Sequence, residues 1–210
     1  MAFVRTIQNQ LMKTFLFCFV FTLIFSKSHL KQIDISLENK RIDNQFETLY
    51  TNKKYKISLS KINDLEASSN TILKIYKNNK MVFEDSIYNT QPSNILFEDF
   101  NGDLIDDILV HYSSDVRSNE SFTLFLVDTL NDSFKRIKGF EEIPNPRYVA
   151  EYDIISNYVL SGKNWSGFYK IQGDTVFDFG LFAEDDMIEE SNYDKEYKKA
   201  IRKIRKEIKK

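Results

Sequence analysis

The sequence predicts an all-β domain built as an antiparallel meander, and three observations support this. Short runs in which apolar and polar residues alternate recur along the body of the chain, and a period of two is typical of a half-buried strand. Turns that contain Asn or Gly separate these runs at hairpin spacing. No segment of the body keeps helical periodicity over three turns, and the chain has only three prolines. We therefore expect a distorted barrel or an incomplete propeller-like arrangement, with a C-terminal amphipathic helix.

The strand candidates follow one another closely along the chain. The first contains Tyr55, Ile57 and Leu59, which alternate with Lys and Ser. The others are Thr71 to Tyr76, Met81 to Ile87, Phe122 to Asp128, Ser133 to Ile137, Asp153 to Leu160, Trp165 to Ile171 and Thr175 to Phe179. Together with the apolar runs Ile95 to Phe97 and Ile108 to Val110, these candidates predict roughly nine or ten strands.

Residues 1–28 have the pattern of a signal peptide. Arg5 and Lys13 precede an apolar run from Phe15 to Phe25, which is too short to span a bilayer, because a span needs about 20 residues. Small residues at Ser26 and Ser28 predict cleavage after Ser28 and a periplasmic or secreted protein. An uncleaved N-terminal anchor and a translation start at Met12 are the alternatives. We assign residues 29–190 to the β-domain and residues 191–210 to the C-terminal helix.

Cysteine chemistry is excluded from the mature chain if this cleavage occurs. The single cysteine, Cys18, lies within the apolar run. The mature chain would therefore have no disulfide, no thiolate nucleophile and no cysteine-based zinc site.

Charge is segregated along the chain. The full sequence has 29 basic and 31 acidic residues. Residues 1–28 hold three basic and no acidic residues, and from Asp194 to Lys210 there are nine basic and three acidic ones. The segment from His29 to Tyr193 therefore carries a net charge of −11. An acidic body disfavours nucleic acid, which selects a basic surface, and favours a cationic protein partner.

The tail predicts a basic amphipathic helix. Tyr197, Ile201, Ile204 and Ile208 recur at steps of four, three and four, which places them on one helix face. Such a helix either docks on the acidic body or lies on an anionic membrane surface. Four apolar residues are few for membrane binding, so we expect docking or a loosely attached, solvated helix. We expect no stable membrane span.

The segment Phe97 to Val110, FEDFNGDLIDDILV, carries the strongest functional signal. Asp99, Asn101, Asp103 and Asp107 occupy positions 1, 3, 5 and 9 of a loop between two apolar runs, and the Ile105 carbonyl lies at position 7. Oxygen ligands at this spacing suit Ca²⁺, which accepts 6–8 of them from a flexible loop. An acidic turn without an ion is the simpler alternative, because Asn, Gly and Asp favour turns themselves. A carboxylate pair for hydrolysis is a third interpretation.

This segment resembles the calcium loop of FG-GAP and VCBS-type β-repeat proteins, Asp-x-Asn-Gly-Asp-Gly-x-x-Asp-Leu. Downstream stretches, SFTLFLVDTLNDSFKRI, IPNPRYVAEYDIISNY and WSGFYKIQGD, are similar in order to a smaller family with one such loop. The resemblance covers roughly Leu59 to Phe179. The chain departs from the pattern at Leu104, where the family usually has Gly.

The resemblance implies a function, because some members of that family are periplasmic immunity proteins that block peptidoglycan-hydrolysing toxins. It implies Ca²⁺ bound by Asp99, Asn101, Asp103, Ile105 and Asp107. It also implies a protein partner, a cationic peptidoglycan hydrolase, that the domain inhibits.

The catalytic inventory is thin, and we expect no enzyme. His111 lies beside Tyr112 and near Asp115, but no strained elbow presents Ser113 or Ser114 as a nucleophile. Two other functions stay open. Trp165 and Tyr169 are candidates for an aromatic platform in a carbohydrate- or envelope-binding module. Asp103, Asp106 and Asp107 are the candidates for a carboxylate-based hydrolase.

Overall fold

The computed structural model describes residues 44–47, 55–62, 69–91, 95–185 and 190–208; for residues 44–47 and 190–191 it describes the backbone alone. The predicted signal peptide, residues 1–28, lies outside the described residues. The described residues all belong to the compact unit that begins at Asp43.

The described residues form three antiparallel four-stranded sheets and one C-terminal helix. Sheet 1 contains β1 (Asn44–Glu47), β2 (Tyr55–Lys61), β3 (Thr71–Lys77) and β4 (Lys80–Ile87). Sheet 2 contains β5 (Ile95–Glu98), β6 (Asp107–Ser114), β7 (Glu120–Asp128) and β8 (Ser133–Ile137). Sheet 3 contains β9 (Pro146–Val149), β10 (Ile154–Asn157), β11 (Asn164–Gln172) and β12 (Thr175–Asp185). Each sheet is a meander in which neighbours along the chain are neighbours in the sheet.

Local sequence explains the tight connections. Asn78 and Asn79 join β3 to β4 and have φ angles of 50° and 63°. Two-residue hairpin loops need positive φ at both positions, which asparagine tolerates better than most residues. The hairpin predicted at this position is therefore confirmed.

Sheet 2 is the middle layer of the domain. On one side Ile108 and Phe125 pack with Ile57 and Leu73 of sheet 1. On its other side, Leu109, Leu124 and Phe122 pack with Ile155 of sheet 3 and with Phe140. Burial of both faces explains why β6 and β7 read as nearly continuous apolar runs rather than as alternating ones.

The expected all-β architecture with a C-terminal helix is confirmed, but the alternative of a closed barrel is wrong. Among the described residues, strand pairing ends after four strands in each sheet. A sheet that is buried on both faces serves as a layer between two others, whereas a barrel wall would enclose an interior.

The C-terminal helix α1 (Glu190–Ile208) packs against sheet 3. Ala200, Ile201 and Ile204 are buried in a cluster with Ile154 and Phe168. In the part of the chain that the structure describes, no helix combines the length and the apolar character that crossing a bilayer requires.

Candidate functional site

The predicted calcium loop joins β5 to β6 and begins and ends at paired strand positions. Glu98 and Asp107 are register partners in the antiparallel β5–β6 pair. The eight residues between them leave the sheet and return to it. The four predicted side-chain ligands, Asp99, Asn101, Asp103 and Asp107, thus lie in one compact segment at one end of sheet 2.

Asp99 organises the first half of the loop. Its Oδ1 accepts hydrogen bonds from the backbone N–H groups of Asn101, at 3.0 Å, and Gly102, at 2.7 Å. Its Oδ2 accepts a hydrogen bond of 2.9 Å from the Leu104 N–H. Such side-chain to backbone bonds are the usual reason for finding Asp at the start of a turn.

Asn101 and Asp103 repeat this arrangement in the second half. The Asp103 N–H donates to Asn101 Oδ1 at 3.0 Å, and the Ile105 N–H donates to Asp103 Oδ1 at 2.8 Å. The Asn101 amide also donates to Asp103 Oδ2 at 3.0 Å. The side chains of the loop therefore hold its backbone amides in place.

Asp107 differs from the other acidic residues because it is fully buried. Its Oδ2 accepts a hydrogen bond from the Phe100 N–H and its Oδ1 accepts one from the Val127 N–H, each of 2.9 Å. Burial raises the pKa of Asp107 to about 7, although the two amide donors oppose this, and the nearby charges of Asp103 and Asp99 raise it further. One carboxylate thus ties the loop to β7, the strand that follows β6.

Leu104 occupies a backbone conformation that suits glycine. Its φ angle is 65°, and its side chain is 94% exposed. A residue with a Cβ thus adopts the left-handed region here, which is unfavourable for residues other than Gly, Asn and Asp.

Gly102 lies under a tyrosine of sheet 3. Its φ angle is 76°, and a Cβ at this position would lie 2.6 Å from the hydroxyl oxygen of Tyr148 in β9. That hydroxyl donates a hydrogen bond of 3.1 Å to Asp153. Burial, Asp153 and the charge of Asp99 raise the pKa of Tyr148 to about 12. The loop therefore contacts both sheet 2, through Asp107, and sheet 3, through Tyr148.

The donor chemistry of the loop fits calcium. A carboxylate has four lone-pair sites and a side-chain carbonyl has two, so Asp99, Asn101, Asp103 and Asp107 each keep at least one after the hydrogen bonds above. All the candidate metal-ligand atoms are oxygens, which a hard cation prefers. In this arrangement the described residues contain no group of three or more His, Cys, Asp or Glu side chains that converge as metal ligands.

His111 has partners that the sequence did not indicate. Its Nε2 lies 2.8 Å from Ser114 Oγ, and its Nδ1 lies 3.2 Å from Thr90 Oγ1. A base beside a hydroxyl is the arrangement of an activated nucleophile. However, the ring is fully buried and packs edge-on against Phe122, and its second partner is a neutral hydroxyl rather than a carboxylate. A structural role accounts for this histidine.

Of the two residues of the predicted aromatic platform, Tyr169 packs against the core between sheets 2 and 3. Trp165 is half-buried on β11. Tyr148 and the Val127 N–H, in contrast, belong to the loop site although nothing in the sequence pointed to them.

Comparison of the chain with known protein families, with curated proteins and with solved structures found no match.

Proposed function

We propose that this chain is an exported, calcium-stabilised β-domain that binds a protein partner. The partner is a cationic peptidoglycan hydrolase in the periplasm or outside the cell, and the domain inhibits it as an immunity protein does. The three face-to-face sheets are the blades of an incomplete propeller in this proposal.

The observation that carries the proposal is a pair of exposed leucines at one end of sheet 2. Leu104 is 94% exposed in the β5–β6 loop, and Leu130 is 86% exposed in the β7–β8 turn. In an antiparallel meander these two connections lie at the same end of the sheet. Contiguous exposed apolar patches mark protein contacts, and in this proposal the two leucines form part of one such patch.

The charge around these leucines supports a cationic partner. Asp103 and Asp106 flank Leu104 along the chain, and Asp128 precedes Leu130. An apolar contact surrounded by carboxylates attracts a basic protein over a distance and then excludes water from the contact. A wall hydrolase that must bind an anionic envelope polymer has a basic surface.

Calcium would act as a structural ion in this proposal. Asp99, Asn101, Asp103, Asp107 and the Ile105 carbonyl would hold it, and it would offset the repulsion among the carboxylates. By neutralising charge near Asp107 it would also favour the ionised form of that buried group.

We propose no catalytic role for Asp103, Asp106 and Asp107. Both oxygens of Asp107 already accept buried amide hydrogen bonds, so this carboxylate is poorly available to a substrate. This supports binding over hydrolysis.

The test uses the exposed leucines. The immobilised protein should capture a peptidoglycan-degrading enzyme from a periplasmic extract. The soluble protein should slow the degradation of labelled peptidoglycan by that extract. A Leu104→Asn, Leu130→Asn double variant should lose both effects, because asparagine tolerates the left-handed backbone at position 104 while removing the apolar contact.

Val116→Asn is the matched control. Val116 is 99% exposed in the β6–β7 turn, at the opposite end of sheet 2. It should behave as the unchanged protein does. Equal retention of hydrolase activity by the double variant and by this control would contradict the proposed surface.

A further inference from the structure

The solvent-facing side of helix α1 is strongly basic. From Asp194 to Ile208, seven basic and three acidic residues are exposed. The opposite side of the helix packs on sheet 3, so the charged side is an outer surface of the domain. This surface is separate from the exposed leucines of sheet 2 and does not depend on calcium. The inference drawn from it therefore goes beyond the proposed protein partner.

Four of these basic residues form one row opposite the buried side of the helix. Side chains that recur at steps of three and four share a helix face. Steps of four, three and four connect the exposed residues that point away from Ile204: Lys195, Lys199, Arg202 and Lys206. None of the three acidic residues belongs to this row, which we call the basic ridge. It extends over about 16 Å along the helix axis.

The charge in the C-terminal half of the helix is not balanced within the domain. Asp194 pairs with Lys198 at 3.5 Å and Glu196 pairs with Lys199 at 3.3 Å, both in the first half of the helix. Among the described residues, no acidic side chain forms an ion pair with the basic residues of the last turns, Arg202, Lys203, Arg205 and Lys206. The negative end of the helix dipole amounts to about half an elementary charge, so it offsets only a fraction of four cations. An anionic partner would relieve the remaining repulsion.

Contact with such a partner is electrostatic, because the apolar side of the helix is already buried. Ile201 is 5% exposed and Ile204 is 0% exposed, in a cluster with Ile154 and Phe168 of sheet 3. An amphipathic helix that inserts into lipid places its apolar side in the membrane. The folded helix presents its charged side instead, so it would lie on an anionic surface without entering it.

A flat anionic surface fits the basic ridge better than a nucleic acid does. A straight row of cations contacts a plane along its whole length. Packed sheets are about 10 Å apart, whereas charges in physiological salt interact over about 8 Å. The acidic end of sheet 2 is therefore largely screened from a plane that touches the helix. Nucleic acids, in contrast, select domains that are basic overall, and this chain has a net charge of −2.

We propose that the basic ridge binds the surface of a membrane that contains anionic phospholipids. Its lysines and its arginine contact the lipid phosphates, while helix α1 stays packed on sheet 3. Clusters of four to eight Lys and Arg residues on an amphipathic helix are typical of this electrostatic mode of binding.

Flotation of the full-length protein with lipid vesicles tests this. One set of vesicles contains phosphatidylcholine alone, and the other contains phosphatidylcholine mixed with phosphatidylglycerol, which is anionic. Binding should require the anionic lipid and should weaken as the salt concentration rises, because salt screens the charges. Attachment through the apolar run of residues 15–25 would occur on both kinds of vesicle, so the difference between them reports the basic ridge.

An Arg202→Gln, Lys206→Gln double variant should bind the anionic vesicles about 25-fold more weakly, since each basic residue near such a surface contributes about fivefold. Glutamine has nearly the same helix propensity as arginine and lysine, so the helix should be retained. The matched control is Lys80→Gln with Lys135→Gln. It removes the same charge from exposed positions of β4 and β8, and it should bind as the unaltered protein does.

Equal binding to both kinds of vesicle, binding that does not depend on salt, or equal affinities of the two double variants would overturn the proposal. Binding of duplex DNA but not of vesicles, lost in the Arg202→Gln, Lys206→Gln variant, would assign the basic ridge to nucleic acid instead. The dependence on lipid and on salt is measured with the unaltered protein, so the proposal stays testable if a variant does not fold.

Discussion

Single residues fix the geometry of the β5–β6 loop. Asp107 accepts hydrogen bonds from Phe100 and Val127, so one buried carboxylate joins the loop to a strand that is not its sequence neighbour. Buried amides left without an acceptor are unfavourable, which makes this residue structural whether or not an ion is bound. Gly102 has the complementary role of leaving room for Tyr148.

Gly102→Ala should lower the free energy of unfolding by about 2–3 kcal/mol. About 1 kcal/mol comes from the left-handed backbone and the rest from the contact with the Tyr148 hydroxyl. Urea unfolding in the presence of a chelator measures this without any contribution from calcium.

Gly139→Ala is the matched control for that change. Gly139 has a φ angle of 80°, and no atom lies within 4 Å of its added Cβ, so only the backbone contribution should appear. Combining Gly102→Ala with Tyr148→Phe should recover part of the loss. Equal losses at positions 102 and 139 would contradict the described contact.

His111 should make stability depend on pH. Burial lowers the pKa of His111, and the charge of Glu120 opposes this in part. The unfolded chain therefore binds the proton more readily than the folded one. The stabilisation is complete above the unfolded value of about 6.5 and is lost as the pH falls through the lowered folded value.

Urea unfolding at several pH values between 7.5 and 5 tests this. The decrease in stability toward pH 5 should be smaller in His111→Gln, which can still hydrogen-bond with Thr90 and Ser114 but does not titrate. The carboxylates titrate equally in both proteins. If the free energy of unfolding varied with pH identically in both proteins, His111 would not contribute to the pH dependence of stability.

At the scale of elements, helix α1 completes sheet 3. Ile204 is fully buried near Phe168 and Ile154, whereas Ile208, predicted on the same face, is 46% exposed. The helix therefore contacts the sheet through its middle turns.

Ile204→Ala should lower the free energy of unfolding by about 2–4 kcal/mol, because it leaves a hole in a packed cluster. Ile208→Ala, the same change at a partly exposed position of the same helix, should cost less than about 1 kcal/mol. Chemical denaturation of both variants measures the difference. Similar small losses would mean that the helix does not pack on sheet 3.

The sequence predicted elements better than it predicted their contacts. Alternation and the Asn78-Asn79 turn located β2, β3 and β4, because these signals are local. Strand β9 begins at Pro146 and spans only four residues, so propensity gave no sign of it. The spacing of Asp99 to Asp107 placed the candidate ligands together, whereas the contacts with Val127 and Tyr148 depend on how the sheets stack.

At the scale of the whole molecule, the domain is a succession of layers, from sheet 1 through sheet 2 and sheet 3 to helix α1. The β5–β6 loop lies where sheets 2 and 3 meet, since it is bonded to β7 and contacts Tyr148 of β9. An ion in this loop would therefore stabilise the junction between two layers rather than an isolated turn.

The most direct test of this account is the thermal unfolding of the protein with calcium and with a chelator. Calcium at 100 times its dissociation constant should add about 2.7 kcal/mol, which raises the melting temperature by about 5–10 °C in a domain of this size. An Asp99→Ala, Asp103→Ala double variant should abolish the increase, and magnesium should produce a smaller one. An unchanged melting temperature at saturating calcium would contradict the metal assignment.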